Sequence, residues 1–132
     1  MRSGRNPVHT MPRDTSKLHV FVSADRLALT MYTATRDLPR AEQFELGKQL
    51  RRAALSVPTN LVEGGQRDST REYRRFVGIA LGSAAETRYL LTVAYRLHLM
   101  PAAGELISDY EALVRGLQKL HASLAKLPDE RV

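Results

Sequence analysis

Apolar residues recur at intervals of three and four along most of the chain, and this spacing constrains the fold more than any other feature. It gathers the apolar side chains on one face of each amphipathic helix. The pattern is interrupted at Asp37-Leu38-Pro39, at Gly64-Gly65 and at Met100-Pro101, and proline and glycine are residues that end helices. The spacing therefore predicts four helices, over residues 18–37, 40–63, 69–99 and 102–126.

Strand signals are absent from the sequence, which has no alternating β-branched run and no Asn-Gly hairpin. Four helices joined by short links favour antiparallel neighbours, so the predicted fold is all-α, an antiparallel up-down-up-down four-helix bundle over residues 18–127. Residues 1–17 are basic and lack an apolar period, and we expect a disordered arm there. Residues 128–132 are expected to form a tail.

The apolar stripes also predict which side chains are buried. Two glycines inside the third helix, Gly78 and Gly82, are expected to mark a close approach between helices, because glycine there costs about 1 kcal/mol relative to alanine. Ser69-Thr70-Arg71-Glu72 is a capping box and predicts the start of that helix. The expected core includes Leu27, Met31 and Tyr32, then Phe44, Leu50, Val57 and Leu61, then Tyr73, Phe76, Leu91 and Tyr95, and finally Leu106, Tyr110, Leu113, Val114, Leu117, Leu120 and Leu124.

Composition excludes several classes of function. The chain has no cysteine, which excludes disulfides and thiol catalysis and suits a reducing compartment. No stretch approaches the roughly 20 apolar residues of a membrane-spanning helix. We therefore expect a cytoplasmic protein without a membrane partner.

An excess of positive charge points to polyanionic partners. The net charge is +6, and basic proteins attract nucleic acids. Two clusters are candidates for contacts to phosphate groups, whereas the alternative is a solvated face with local ion pairs. The candidates are Arg67, Arg71, Arg74 and Arg75 around the start of the third helix, and Lys48 and Arg51 on the second.

Polar residues also step along one side of the second and third helices. We interpret them as a structural network, because polar groups on a packed face need hydrogen-bond partners. The alternative, Glu63 and Glu86 as a catalytic acid and base, lacks an accompanying nucleophile. The four histidines form no metal-binding pair, so the sequence predicts no enzyme, no cofactor and no metal. The predicted network is Arg52, Ser56, Asn60, Glu63, Ser83 and Glu86.

Two motifs together resemble one protein family. The segment 49–64 reads QLRRAALSVPTNLVEG, and the segment 71–86 reads REYRRFVGIALGSAAE. They are similar to the bacterial four-helix bundle proteins encoded in intervening sequences of 23S ribosomal RNA genes, the S23 family. The resemblance covers about residues 18–126 and implies a bundle that assembles as a homopentamer. The same superfamily includes the accessory protein of diversity-generating retroelements, a basic pentamer that binds a reverse transcriptase and nucleic acid.

The first functional hypothesis is therefore a non-enzymatic, oligomeric adaptor that binds RNA or DNA and serves a retroelement reverse transcriptase. The alternative is a structural or regulatory protein-interaction bundle that does not bind nucleic acid.

Overall fold

Four long helices form a bundle in the computed structural model, which describes residues 12–129 and the side chains of residues 16–129. The predicted all-α fold is confirmed: the described part of the chain contains helices and turns, and no strand of a sheet. Most of the expected arm, residues 1–11, lies outside the described residues, as do residues 130–132. The helices are α1 (Pro12–Ala34), α2 (Arg40–Phe44), α3 (Leu46–Gly65), α4 (Thr70–Arg96) and α5 (Ala103–Ala125).

The long helices surround one core, in which α3 packs against α1 and α4, and α5 packs against α4 and α1. The helices α3 and α4 are antiparallel, as two pairs of contacting residues show. Arg52 of α3 pairs with Glu86 of α4, whereas Gly64, further along α3, lies against Phe76, earlier in α4. Burial of apolar surface in this core stabilises the bundle. Its largest fully buried side chains include Leu27, Met31, Leu50, Val57, Leu91, Tyr110 and Leu117.

The first helix begins at Pro12, six residues before the predicted start, so the prediction that residues 12–17 belong to the arm is wrong. Proline suits the first turn of a helix, because it lacks the amide hydrogen that would have no partner there. The polar residues that follow it have no apolar period, which is why the spacing does not reveal this turn. Lys17 lies over the ring of Tyr73 at 4.6 Å and ties this extension to α4.

The predicted helix over residues 40–63 is divided in two at Glu45, whose backbone (φ −90°, ψ −83°) leaves the helical range. Before it, Leu38 is extended, as a residue preceding proline should be. Near the break, the Arg51 guanidinium donates to the carbonyl oxygen of Gln43 at 3.3 Å and to Thr35 Oγ1 at 3.1 Å. Arg51 therefore joins α2 and the end of α1 to α3.

Both ends of α4 have defined caps. Ser69 is the N-cap, and its hydroxyl accepts from the amide of Glu72 at 3.1 Å, as the capping box predicts. The helix ends at Arg96 rather than at residue 99. His98 has a left-handed backbone (φ 55°), and the amide of Leu99 donates to the carbonyl of Ala94 at 2.9 Å. This is a Schellman turn, and the sequence hides it because histidine stands where glycine is usual.

Most of the predicted core is buried, including the whole predicted stripe of α5. Three aromatic residues were assigned to the core wrongly: Tyr32, Phe44 and Tyr95 are exposed, Phe44 by 74%. Each lies near the edge of a stripe or next to a helix end, where the repeat no longer fixes the direction of the side chain.

The close approach between helices occurs at Gly64 and not, as predicted, at Gly82. A Cβ atom at Gly64 would lie 2.7 Å from Cβ of Phe76, whereas a Cβ atom at Gly82 would meet nothing within 4 Å. At Gly78 the nearest atom would be Nε2 of His121, at 3.4 Å. Only Gly64 is therefore required by the packing of α3 on α4.

An exposed apolar stripe runs along the outer side of α1. Its members are spaced by four, seven and three residues, which is one face of a helix. They point away from the core-facing residues Leu27 and Met31 of the same helix. We call this set the α1 outer stripe, and it consists of Leu18, Val22, Leu29 and Tyr32.

Candidate nucleic-acid interface

Four arginines gather at the end of the bundle where α3 turns into α4. Arg67 lies in the turn, and Arg71, Arg74 and Arg75 lie in the first two turns of α4. The structure thus brings together the four residues that the sequence placed in one cluster. We call this set the α4 basic cluster.

Arg67 and Arg75 both contact the ring of Phe76. Their guanidinium carbons lie 4.8 and 4.6 Å from the ring centroid, which is cation–π distance. Each also has a nearby carboxylate: Arg67 lies 3.4 Å from Glu63, and Arg75 lies 3.5 Å from Glu72. The two arginines cover Phe76, which is buried, while both keep exposed side-chain surface.

Arg71 and Arg74 contact α5 and the segment after it. Arg71 has a side chain that is 82% exposed, and its Nε lies 3.4 Å from Asp129 Oδ2. Arg74 is half-buried, and its Nε donates to the carbonyl oxygen of His121 at 3.1 Å. Burial, and then the positive charge of Arg74, lower the pKa of His121 below its ordinary value. Arg74 therefore holds α4 to α5, whereas Arg71 projects into solvent.

A fifth cation, Lys17, lies at the same end of the bundle. The sequence did not reveal it as part of this site, because residues 1–17 were expected to form the arm. Its position over Tyr73 places it beside the α4 basic cluster. Acidic residues also lie here, and the five cations face four carboxylates, those of Glu63, Asp68, Glu72 and Asp129. The net charge of these nine side chains is +1, so the carboxylates offset most of the positive charge of the cluster.

The second predicted cluster lies elsewhere. Arg51 precedes Arg67 by 16 residues, which corresponds to about 24 Å along a helix. Arg51 is partly buried by its bonds to Thr35 and Gln43. Lys48 is exposed, one helical turn before Arg51. The two predicted clusters are therefore separate, and in the second one only Lys48 is fully available to a ligand.

Five of the six predicted network residues meet between α3 and α4. Arg52 Nη2 lies 2.9 Å from Glu86 Oε2, and the hydroxyl groups of Ser56 and Ser83 lie 2.8 Å apart. Asn60 Nδ2 donates to the carbonyl and the hydroxyl of Ser56 at 2.8 and 3.0 Å. The Arg52–Glu86 and Ser56–Ser83 contacts join α3 to α4 at this register, whereas the bonds of Asn60 lie within α3.

Glu63, the sixth predicted member, lies apart from this network and pairs with Arg67 in the turn. It does not face Glu86 as a catalytic acid–base pair requires. Within residues 12–129, no three acidic or histidine side chains converge in a way that could hold a metal ion. In the same range, no helix has both the length and the apolar character needed to cross a membrane.

Two comparisons with known proteins found a match, one to a family model and one to a solved structure. The family model described as 23S rRNA-intervening sequence protein matches residues 16–119. A crystal structure of a protein of unknown function from the S23 ribosomal protein family of Bacteroides thetaiotaomicron is similar, with a TM-score of 0.74 and 21% sequence identity. The match covers 81% of this chain and 98% of that one, and at this identity it shows the fold alone. No curated protein matches the chain. Since the family model covers most of its length, the chain belongs to the 23S rRNA-intervening sequence protein family.

Proposed function

We propose that the protein is a cytoplasmic, non-enzymatic, oligomeric adaptor that binds nucleic acid through its phosphate groups. The observation that carries this proposal is the α4 basic cluster, four arginines at one end of the bundle with Lys17 beside them. A guanidinium group presents several donors in one plane and suits phosphate oxygens. Contacts of this kind position a nucleic acid without reading its sequence.

The four arginines differ in their availability. Arg71 and Arg75 have side chains that are more than half exposed, and their ion pairs lie at the surface. An exposed ion pair contributes only about 0.2–1 kcal/mol, so a phosphate group can replace the carboxylate. Arg74 is held by the carbonyl of His121. We therefore assign phosphate binding first to Arg71 and Arg75.

Assembly would strengthen the modest charge of one subunit. A ring of identical chains repeats the same end around its axis and sums the electrostatic field. The α1 outer stripe supports assembly, because exposed apolar residues grouped on one face of a helix are typical of protein interfaces. The homopentamer implied by the family resemblance is the arrangement that we propose.

The test is binding of nuclease-treated protein to labelled structured RNA and duplex DNA across a series of salt concentrations. The double variant Arg71→Glu, Arg75→Glu should bind at least tenfold more weakly. Its plot of log K against log salt should also be shallower, because each lost phosphate contact reduces the slope by about 0.9 on duplex DNA. Comparing the two probes shows which nucleic acid the protein prefers.

A matched control carries the same change in net charge elsewhere on the surface. The double variant Arg26→Glu, Arg115→Glu alters exposed arginines of α1 and α5 and should bind nearly as the wild type does. An equal loss of affinity in both double variants would show that binding depends on the net charge of the protein and not on the α4 basic cluster. Absence of binding by the wild-type protein near physiological salt would refute the proposal.

We propose a retroelement reverse transcriptase as the protein partner of the adaptor. The support is the resemblance of residues 49–64 and 71–86 to the superfamily that includes a reverse-transcriptase accessory protein. Co-purification of the two proteins, when a neighbouring gene encodes a reverse transcriptase, is the measurement. Failure of the co-expressed proteins to associate would remove this part of the proposal and leave nucleic-acid binding to stand on its own test.

A protein-interaction bundle without nucleic-acid binding is the second candidate, and the α1 outer stripe favours it. Leu29, exposed by 64%, is its most exposed member. Because both candidates assemble through this stripe, Leu29→Glu should disrupt assembly under either, measured by analytical ultracentrifugation. Only under this alternative does the wild-type protein bind no nucleic acid, so that the arginine variants change nothing. Gln118→Glu places the same charge at an exposed position of α5, away from the α1 outer stripe, and serves as the control.

A further inference from the structure

The segment that follows α5 returns to the start of α4 and ends there on an arginine of the α4 basic cluster. Asp129 Oδ1 accepts a hydrogen bond from the backbone amide of Arg71 at 2.9 Å. Its other oxygen, Oδ2, lies 3.4 Å from Nε of the same arginine. One carboxylate therefore engages both the main chain and the side chain of Arg71.

This contact differs from the other two ion pairs of the cluster. Glu63 and Glu72 pair with arginines four and three residues away in the sequence, so these carboxylates stay beside the cluster in any state of the bundle. Asp129 comes from 58 residues away in the chain, on the short segment of residues 126–129. It can leave the cluster if that segment moves, without unfolding of any long helix.

The place that Asp129 takes is one in which a phosphate group would make similar bonds. A carboxylate and a phosphate both offer anionic oxygens to a guanidinium group, and each binds more strongly than a neutral acceptor does. A cleft of about 220 Å³ adjoins the contact, and its lining includes Arg71 and Arg74 of α4 and Leu127 and Asp129 of the segment after α5. A phosphate group entering from solvent meets the same donors that the carboxylate uses.

We propose that Asp129 is an internal competitor of the nucleic acid: it occupies Arg71 in the free protein and is displaced when a phosphate group binds. This inference rests on the proposed function, because it assigns Arg71 to phosphate binding. Since the two anions exclude each other, binding of the nucleic acid and release of residues 126–129 are coupled, and each opposes the other to the same extent.

The test is the affinity of Asp129→Asn for the labelled RNA and duplex DNA already described. Asparagine keeps an oxygen for the Arg71 amide and loses the charge, so the fold is preserved. We expect binding about three- to tenfold tighter than that of the wild type, the range expected for an exposed ion pair at a helix N-terminus. The slope of log K against log salt should stay close to that of the wild type, because Arg71 contacts a phosphate group in both complexes once Asp129 has been displaced.

Two comparisons decide between local competition and a general effect of charge. Asp25→Asn makes the same change in net charge at an exposed position of α1, and it should leave the affinity within about twofold of the wild-type value because exposed charges are screened over about 8–10 Å. In an Arg71→Ala background, Asp129→Asn should have no further effect. An equal gain in the Asp25 variant, or an undiminished gain without Arg71, would overturn the inference.

The remaining outcomes separate the inference from the proposed function. If the wild type and Asp129→Asn bind equally tightly, Asp129 does not compete, and the adaptor proposal stands. If both proteins bind and the Asn variant binds more tightly, the internal competitor lowers the affinity of the wild type and the inference is supported. If neither protein binds, both proposals fail together.

Discussion

Replacing Tyr110 by phenylalanine removes one oxygen atom from the middle of the bundle, and we expect the variant to be more stable than the wild type. Tyr110 is fully buried, and within the described residues its hydroxyl has no hydrogen-bond partner. A buried polar group without a partner costs about 1–3 kcal/mol. Phenylalanine keeps the ring and its packing, so most of this cost should be recovered.

A gain of about 1 kcal/mol corresponds to a rise in Tm of about 3–5 °C for a chain of this size. The measurement is urea and thermal unfolding followed by circular dichroism at one fixed protein concentration. Tyr89→Phe, at a side chain that is 63% exposed, is the control and should change the free energy of unfolding by less than about 0.5 kcal/mol. Loss of 1 kcal/mol or more in Tyr110→Phe would refute the reasoning, since it would show that the hydroxyl is bonded in solution.

The same residue gives a signature at alkaline pH. Burial, and then the negative charge of Asp109, raise the pKa of Tyr110 above its ordinary value of 10. The folded state therefore favours the neutral phenol. The free energy of unfolding of the wild type is therefore unaffected by ionisation of this phenol below pH 10, and it falls as the pH rises from there toward the raised pKa. The stability difference between Tyr110→Phe and the wild type should widen above pH 10, and a constant difference would contradict this assignment.

Three further predictions concern the packing. Gly82→Ala should stabilise the protein by up to about 1 kcal/mol, because a Cβ atom there meets nothing within 4 Å, whereas Gly64→Ala should destabilise it, because its Cβ atom would collide with α4. Urea unfolding of both variants measures this contrast, and equal effects would contradict the prediction. Arg51→Ala should lower the free energy of unfolding by about 1–3 kcal/mol, because it removes two hydrogen bonds, whereas Lys48→Ala should lower it by less than about 0.5 kcal/mol. Equal urea midpoints for these two variants would refute the structural role of Arg51. The pKa of His121 is lowered in the fold, so the stability that neutral His121 contributes is present above pH 6.5 and is lost as the pH falls through the lowered value. The variant His121→Asn should therefore lose less stability than the wild type between pH 7 and pH 5. Parallel pH profiles of the two proteins would contradict the shift.

The helical bundle could be predicted from the sequence because each long helix repeats its apolar residues over several turns. The stripe of α5 is the best case, since every predicted member of it is buried. Helix ends were harder to predict, because they depend on backbone groups as much as on side-chain pattern. The break at Glu45 lies beside a bond between Arg51 and a carbonyl oxygen eight residues away, and nothing in the local sequence marks it.

The candidate site was predictable only in its cations. Arg71 and Arg75 lie about one helical turn apart on one face of α4, and Arg67 lies in the turn just before that helix, so nearness in sequence brings the three together. Two other residues at this site come from distant parts of the chain. Asp129 reaches Arg71 only because α5 runs back along α4, and Lys17 reaches the same end only because α1 begins earlier than its apolar period does. Contacts between residues far apart in sequence depend on the packing of whole helices, which a pattern of nearby residues does not contain.

The α1 outer stripe has a thermodynamic consequence for the protein in a cell. Burying an exposed leucine or valine contributes about 1.5–3 kcal/mol, and the stripe contains three such residues besides Tyr32. If these side chains are buried between copies of the chain, association supplies part of the stability of the folded state. By mass action, this part of the stability grows with protein concentration. Dilution would then lower Tm, and the number of copies in the cell would determine what fraction of the chains is folded.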